Sequence, residues 1–157
     1  MNHEPRLDYG KASPDGLKAM LNLQQYVEKS GLEHPLMELV KMRASQINGC
    51  AFCLDMHSKD ARAAGETEQR LYALNAWRET PFYSDRERAA LAWTEALTRI
   101  RNGVSDELYA EVRKHFNEKE IADLTLCIIA INGWNRLAIP FRTKAGEYQP
   151  GKYRRST

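Results

Sequence analysis

Two cysteines and a histidine stand at a spacing that allows thiol chemistry. Cys50 and Cys53 are three residues apart, and His57 follows the second cysteine by four residues. On a helix, at about 100° per residue, the three side chains fall within an arc of roughly 60°, so they share one face. A thiolate is the form of cysteine that attacks electrophiles and binds metals, and it needs a neighbouring base or a helix N-terminus to form near neutral pH. The spacing of Cys50, Cys53 and His57 therefore predicts either a reactive dithiol or a metal site.

Each of the two thiols has a different reason to be the one that loses its proton more readily. Unpaired backbone N–H groups in the first turn stabilise negative charge, which favours Cys50 as the thiol of lower pKa. His57 lies one turn beyond Cys53 and is placed to take its proton, directly or through a water, which favours Cys53. Whichever cysteine is oxidised to a sulfenic acid, the other is close enough to capture it as a disulfide. These two effects oppose each other and leave the nucleophile open.

Other interpretations of the motif depend on what else the chain contains. Zinc would find three ligands in Cys50, Cys53 and His57, but a structural zinc site normally has four. No second CxxC and no HxxxH exists, so the fourth ligand would be a carboxylate, another histidine or Cys127. Cys127 lies in an apolar run and is interpreted as an inert core thiol. A c-type haem is disfavoured because no histidine directly follows the second cysteine, and a thioredoxin-like domain because no βαβ pattern surrounds the motif.

The elements that must position these residues are all predicted to be helices. Serine or asparagine caps, prolines in first turns and terminal glycines mark the boundaries, and no convincing strand alternation occurs. The predicted helices cover about residues 13–29, 34–49, 50–65, 67–80, 84–102 and 105–116, and a last, very apolar one runs from 117 past 133 towards 140. The sequence thus predicts an all-α fold, a helical bundle.

Length, charge and termini exclude several classes of protein. The 157 residues are enough for one self-sufficient core, and a net charge of +2 gives no support to nucleic-acid binding. The basic cluster at 152–155 is interpreted as a solvated terminus. No leader-like apolar segment begins the chain, and the longest nearly apolar run, 124–131, is too short to span a bilayer. We expect one cytoplasmic domain over 1–157, with a core of about 13–142 between polar N- and C-terminal tails and no membrane partner.

The motif and its surroundings resemble a known family. Glu38 precedes the Cys50-x-x-Cys53-x-x-x-His57 pattern, residues 42–50 (MRASQINGC) lead into it and residues 61–66 (ARAAGE) lead out. Residues 131–139 (INGWNRLAI) are similar to the closing helix of many members. Over residues 15–142 the chain resembles the AhpD-like alkylhydroperoxidases of the carboxymuconolactone decarboxylase superfamily.

The resemblance implies an all-helical, AhpD-like bundle that assembles into homo-oligomers and reduces hydroperoxides without a cofactor or a metal. It implies that Cys53 is the peroxidatic cysteine, and that Cys50 supplies a proton and then forms the disulfide. His57 and Glu38 would form the proton relay, and a dithiol reductant, a lipoylated protein in some relatives, would restore the thiols. Helical periodicity alone predicts the opposite for Glu38, a solvated carboxylate away from the apolar stripe of its helix.

Several residues and functions stay open at this stage. Phe52 stands where some peroxidases carry an additional histidine, so it either shapes the entrance for apolar peroxides or marks a weak peroxidase. Asn132, Trp134 and Asn135 are interpreted as packing residues, with a place near the site or a subunit contact as the alternative. A thiol peroxidase is the leading hypothesis. The alternatives are a non-redox decarboxylase-type enzyme acting on a small lactone, and a zinc-binding or redox-sensing interaction protein.

Overall fold

The computed structural model describes residues 4–152, and within that range it contains helices and no strand. The predicted all-α fold is therefore confirmed. The predicted basic cluster at 152–155 lies outside the described residues except for Lys152. The α-helices are α1 (Tyr9–Ala12), α2 (Pro14–Glu28), α3 (His34–Asn48), α4 (Ala51–Ala63), α5 (Glu68–Tyr72), α6 (Asp85–Thr98), α7 (Asp106–Arg113) and α8 (Glu118–Phe141), and two 3₁₀ helices cover Leu74–Glu79 and Ile100–Asn102.

Helix starts follow the predicted capping residues. At α6 the Ser84 side chain accepts from the Glu87 N–H while the Glu87 carboxylate accepts from the Ser84 N–H. Asn117 and Glu120 form the same reciprocal box at α8. Each box satisfies backbone donors that a helix start otherwise leaves unpaired, and this is why the boundaries were readable from the sequence.

The predicted helix 84–102 continues in the structure as α6 followed by a 3₁₀ helix, and the predicted helix 67–80 is likewise divided. The α-helix ends at Tyr72, and a 3₁₀ segment with a non-helical Ala76 follows. Leu71, Leu74 and Trp77 are all buried. Residues three apart lie on one face of an α-helix and of a 3₁₀ helix, so these side chains share the buried side of the segment in either form.

Helix α3 forms the centre of the bundle. It packs against α4, α6 and α8, and every residue from Leu36 to Ser45 is buried. A helix covered on several sides has no solvent face, so its polar residues are forced to find partners inside the protein. The expectation from periodicity that Glu38 is solvated is therefore wrong, since the residue is only 3% exposed.

Helix α8 is the longest element, and it runs through Gly133 and Pro140 before ending at Arg142 in the left-handed conformation. It is the one described helix that meets length and hydropathy criteria for a membrane span, with 39% of its most apolar window buried. A helix that packs in the core of a bundle passes the same test. Here α8 packs against α2, α3, α4, α6 and α7 and carries buried Asp123 and Asn135, as a core helix does.

The segment after α8 lies along the outer side of α4. Tyr148 is buried and its hydroxyl donates to the Asp60 carboxylate, while Lys59 donates to the carbonyls of Gly146 and Tyr148. Residues 146–151 thus pack against α4 through Asp55, Lys59 and Asp60, so the predicted polar tail is in part a packed segment. That the chain forms a single domain over residues 1–157 stays a prediction.

Candidate active site

The turn between α3 and α4 places the two cysteines. Gly49, with φ of 70°, ends α3 in the left-handed conformation that glycine adopts without strain, and Cys50 follows as the N-cap of α4. The Cys50 sulfur accepts the Cys53 N–H at 3.4 Å. The two sulfurs are 2.7 Å apart, and both residues are only 1% exposed. We call Cys50 and Cys53 the thiol pair.

The thiol pair is arranged to carry one negative charge. The hydrogen bond from Cys53 lowers the pKa of Cys50 to about 7, helped by backbone N–H groups and opposed by burial. The same hydrogen bond, with burial and repulsion by the Cys50 charge, raises the pKa of Cys53 well above its usual range. The first proton therefore leaves near neutral pH and the second is held, so the charge belongs to the pair rather than to either residue.

Glu38 on α3 and His57 on α4 form a buried hydrogen-bonded pair. His57 lies one helical turn beyond Cys53. The Glu38 Oε2 atom lies 2.9 Å from the His57 Nδ1 atom, and Glu38 Oε1 accepts from Lys41 Nζ at 3.0 Å. Burial alone would raise the pKa of Glu38, but the hydrogen bonds and charges of His57 and Lys41 outweigh it and lower the pKa to about 2. His34 approaches the same carboxylate at 3.7 Å. Glu38 is therefore ionised at neutral pH, although it is buried.

The ionised carboxylate determines how His57 presents itself. A carboxylate only accepts hydrogen bonds, so Nδ1 carries the hydrogen and Nε2 is the ring atom that can take up a proton. Among residues 4–152, no hydrogen bond joins His57 to either sulfur. Proton transfer between His57 and the thiol pair thus requires a small side-chain movement or a bridging water, and the direct route predicted from the sequence is not made in this structure.

Helix α8 adds a residue that the sequence motif did not identify. Asn135 is fully buried and its amide lowers the pKa of both Cys50 and Cys53. It donates to the Ser45 hydroxyl at 3.1 Å and accepts from the Asn48 amide at 2.8 Å. The interpretation of Asn135 as a packing residue is therefore incomplete, and its place beside the thiol pair had no local sequence signal because the two segments meet only in the folded bundle.

The remaining candidates divide into those near the pair and those away from it. Phe52 packs against the cluster that contains both cysteines, and it is only partly buried, so it covers the pair from outside. Trp134 points to α2, where its Nε1 donates to Gln24. Cys127 is fully buried, and burial raises its pKa to about 11. It is a free core cysteine, and its predicted inertness stays a prediction.

No group of three or more histidine, cysteine, aspartate or glutamate side chains within the described part of the chain is arranged to hold a metal. His57 is engaged with Glu38, and the thiol pair has its own hydrogen bonds. The zinc interpretation therefore gains no support from the side-chain geometry.

Comparison with known proteins places this geometry in a family context. The model of the carboxymuconolactone decarboxylase family matches residues 14–96. The uncharacterised protein YdfG of Bacillus subtilis (strain 168) is 48% identical over 141 residues, covering 89% of this chain and 96% of YdfG. ATU0492 of Agrobacterium tumefaciens, described as a protein of unknown function and a candidate antioxidant defence protein AhpD, is 46% identical with a TM-score of 0.88, covering 92% of this chain and all of its own.

A more distant structure shows the same fold. The peroxidase-related protein from Silicibacter sp. TM1040 is 24% identical with a TM-score of 0.76, covering 89% of this chain and 75% of its own. Residues 14–96 include Glu38, the thiol pair and His57, whereas Asn135 lies beyond them.

Proposed function

The chain belongs to the carboxymuconolactone decarboxylase family and has an AhpD-like fold, and on that premise we propose that it is a thiol-dependent peroxidase that reduces hydrogen peroxide or organic hydroperoxides. The observation that carries the proposal is the buried thiol pair, with sulfurs 2.7 Å apart, next to the Glu38–His57 hydrogen bond of 2.9 Å. A dithiol that loses its first proton near pH 7 supplies a nucleophile and a resolving thiol in one place.

The reaction would proceed in two steps. The Cys53 thiolate attacks the terminal oxygen of the hydroperoxide, an S–O bond forms, and the O–O bond breaks to release an alkoxide that takes up a proton. Sulfur is thereby oxidised to a sulfenic acid and the peroxide is reduced to an alcohol. The Cys50 thiol then attacks the sulfenic sulfur, forms the disulfide and releases water. One hydroperoxide and two thiols give one alcohol, one water and one disulfide.

The choice of Cys53 as nucleophile is part of the proposal. In the resting pair the charge is held mainly by Cys50, whose pKa is lowered to about 7. Transfer of one proton from Cys53 to Cys50 across the 2.7 Å contact moves the charge to Cys53. Cys50 would thus act first as the base for Cys53 and afterwards as the resolving thiol, and only the second of these roles is the one implied by the family.

Glu38 and His57 would serve as the proton relay. Ionised Glu38 fixes the His57 tautomer and stabilises the ring when it is charged, as carboxylates do for catalytic histidines. His57 then takes the proton displaced from the pair and returns it to the departing alkoxide or water. Phe52 would restrict access to the buried sulfurs and favour peroxides with an apolar substituent.

The reductant and the assembly are further parts of the proposal. Restoring the thiols needs two electrons and two protons, which a small dithiol delivers by thiol–disulfide exchange, and a lipoylated protein carries such a dithiol on a long arm. A reducing, cytoplasmic compartment suits this cycle. For a homo-oligomer, support comes from an open, largely apolar surface depression lined by Trp93, Tyr109, Ile121, Ala122, Thr125 and Leu126. Sedimentation at micromolar concentration tests it, and a monomer would contradict it.

A thiol count after a single addition of peroxide tests the proposed function. Fully reduced protein treated with one equivalent of hydroperoxide is expected to lose two thiols per chain, and peptide mapping is expected to join Cys50 to Cys53. Cys127 serves as the internal control, because a buried thiol with a raised pKa should remain reduced. Retention of all three thiols, or a disulfide that includes Cys127, would contradict the proposal.

Two measurements decide between this function and the alternatives. If the Cys50→Ser/Cys53→Ser double variant turned over a small lactone as well as the unaltered protein does, the non-redox decarboxylase would replace the peroxidase. About one tightly held zinc per chain in protein purified under reducing conditions would favour the zinc-binding interpretation. We expect neither result.

A further inference from the structure

A buried side-chain amide lies between the thiol pair and helix α8. Asn135 is 0% exposed and sits between Ile131 and Ala138, the α8 residues that pack in one cluster with Cys50 and Cys53. A fully buried amide in an otherwise apolar contact costs free energy unless its donors and acceptor are used. Which end of the amide faces the sulfurs therefore has chemical consequences.

The orientation of Asn135 follows from a chain of hydrogen bonds that begins at two unambiguous groups. The Arg136 guanidinium can only donate and lies 2.8 Å from Asn132 Oδ1, and the Ile128 carbonyl can only accept and lies 2.9 Å from Asn132 Nδ2. The Asn48 atom 2.9 Å from Asn132 Oδ1 must then be its NH₂ group. That NH₂ group also donates to Asn135 at 2.8 Å, which identifies the accepting atom as Oδ1.

The NH₂ group of Asn135 is consequently directed at Ser45 and the sulfurs. One of its hydrogens goes to the Ser45 hydroxyl, at 3.1 Å, and Ser45 is itself fully buried. The second hydrogen makes no other hydrogen bond among the described residues, and the two sulfurs are the acceptors within the cluster that Ile131 and Ala138 form around it. An N–H that faces a thiolate forms a charge-assisted hydrogen bond, which is stronger than one between neutral groups.

We propose that Asn135 is the thiolate-stabilising residue of the site: its Nδ2–H, held in place by Asn48, donates to the charged sulfur of the thiol pair. Because the amide faces both sulfurs, it serves the charge on Cys50 in the resting pair and on Cys53 after proton transfer. The catalytic purpose of Asn135 rests on the proposed function, but its effect on the thiol pKa is tested without peroxide.

The other titratable groups around the pair do not supply this interaction. On α3, Glu38 and Lys41 are bonded to each other, and on α4, His57 is bonded to Glu38. On α8, Cys127 is protonated at neutral pH and faces Lys41. The remaining charged side chains of α4 near its middle, Asp55, Lys59 and Asp60, bond to each other or to residues 146–151 on the outer side.

Removing the amide is expected to make the thiolate rarer. The variant Asn135→Ala loses a hydrogen bond to a charged group, so the pKa of the pair should rise by about one unit or more. At pH 7 the rate of alkylation by iodoacetamide should fall roughly five- to tenfold. The pKa is read from thiolate absorbance at 240 nm between pH 5 and 9, in the absence of peroxide. An unchanged pKa in folded Asn135→Ala protein would overturn the proposal.

A second pair of variants tests the orientation without removing Asn135. Asn48→Asp cannot donate, so the amide of Asn135 should turn its NH₂ group towards the introduced carboxylate and its oxygen towards the sulfurs. The pKa should rise at least as far as in Asn135→Ala. Asn132→Asp is the charge control: it also adds a carboxylate beside Asn48 and still accepts from it. Because it gives up the donations of Asn132 to Ile128 and Thr98, its folded fraction is measured first, and the alkylation rate of the folded protein should change less than about twofold.

The outcomes separate the proposal from its alternatives. A much larger shift in Asn48→Asp than in Asn132→Asp supports the oriented amide, even if Asn135→Ala fails to fold. Equal shifts of the thiol pKa in the two aspartate variants would mean that the added negative charge alone changes the pKa. That result would overturn the proposal. If these shifts occur while the unaltered protein fails to form its disulfide with peroxide, the proposed function is wrong and the assignment of Asn135 stands.

Discussion

Two buried glutamates on neighbouring helices show how the choice of partner divides a structural site from a reactive one. Glu95 on α6 accepts from Arg43, Arg78 and the Trp77 indole at 2.6–2.9 Å. Glu38 on α3 is bonded instead to Lys41 and His57. In both carboxylates burial raises the pKa and the partners more than offset it, so both pKa values are lowered.

The difference lies in what the partners can do with a proton. Arginine and indole N–H groups hold their protons at any ordinary pH, so Glu95 is fixed as an anion among permanent donors. Histidine exchanges its proton near neutral pH, and His57 is one helical turn from Cys53. The same physical arrangement therefore stabilises packing at Glu95, whereas at Glu38 it orients a base beside the thiol pair.

The largest expected effect contrasts the two carboxylates directly. Glu38→Gln removes the anion that fixes the tautomer of His57, so the rate of hydroperoxide reduction should fall about 100-fold, the usual scale of general acid–base catalysis. Glu95→Gln should leave the rate per folded molecule unchanged. Stopped-flow consumption of peroxide, with the folded fraction measured by circular dichroism, makes the comparison. Equal losses in the two variants would show that Glu38 has only a structural role.

The buried lysine gives the next largest effect, this time on stability. Lys41→Met leaves the buried Glu38 carboxylate without its ammonium partner, which should lower the free energy of unfolding by about 3 kcal/mol. Guanidinium denaturation measures it. The double variant Glu38→Gln/Lys41→Met removes both charges and should be less destabilised than the sum of the single variants. Strict additivity would contradict the ion pair.

Acid should unfold the protein partly through Glu38. Its pKa is lowered from 4.5 to about 2, so the unfolded chain takes up a proton before the folded one does. The stabilisation, about 3 kcal/mol, is fully present above pH 5 and is lost as the pH falls through 4.5 towards 2. Unfolding free energies of the unaltered protein should fall more steeply across that window than those of Glu38→Gln. Parallel curves would contradict the shift.

The smallest effect is expected at the exposed edge of the structural site. Arg78 bonds to Glu95 at 2.6 Å, but its side chain is 57% exposed, so water and salt screen the pair. Arg78→Ala should lower the free energy of unfolding by less than about 1 kcal/mol and should not alter peroxide reduction. Thermal unfolding at low and high salt checks this. A large loss of stability that salt does not change would mean that the Arg78–Glu95 pair behaves like the buried Lys41–Glu38 pair.

Local signals were enough to predict much of this molecule. The capping boxes at Ser84 and Asn117 involve residues three apart, and the one-face placement of Cys50, Cys53 and His57 needs only the geometry of one helix. Such features are settled within a few residues of the chain. The all-α fold followed from the same short-range evidence.

Features that depend on distant segments were not predicted in this way. Periodicity gave the wrong prediction for Glu38 because α3 is covered on several sides, so polar and apolar positions along it are buried alike. Asn135 lies 82 or more residues from either cysteine along the chain, and only the packing of α8 on α3 and α4 brings them together. The 3₁₀ segment carries buried Leu74 and Trp77, a spacing that an α-helix accommodates as well, so the sequence pattern did not predict the change of helix type.

The central claim is that the thiol pair reduces peroxide and that Cys53 makes the attack. Hydroperoxide consumption by Cys53→Ser and Cys50→Ser, each fully reduced beforehand, tests it most directly. Cys53→Ser should lose the reaction, whereas Cys50→Ser should consume one equivalent and stop at a sulfenic acid that dimedone traps on Cys53. If Cys53→Ser consumes peroxide as fast as the unaltered protein, the account is contradicted.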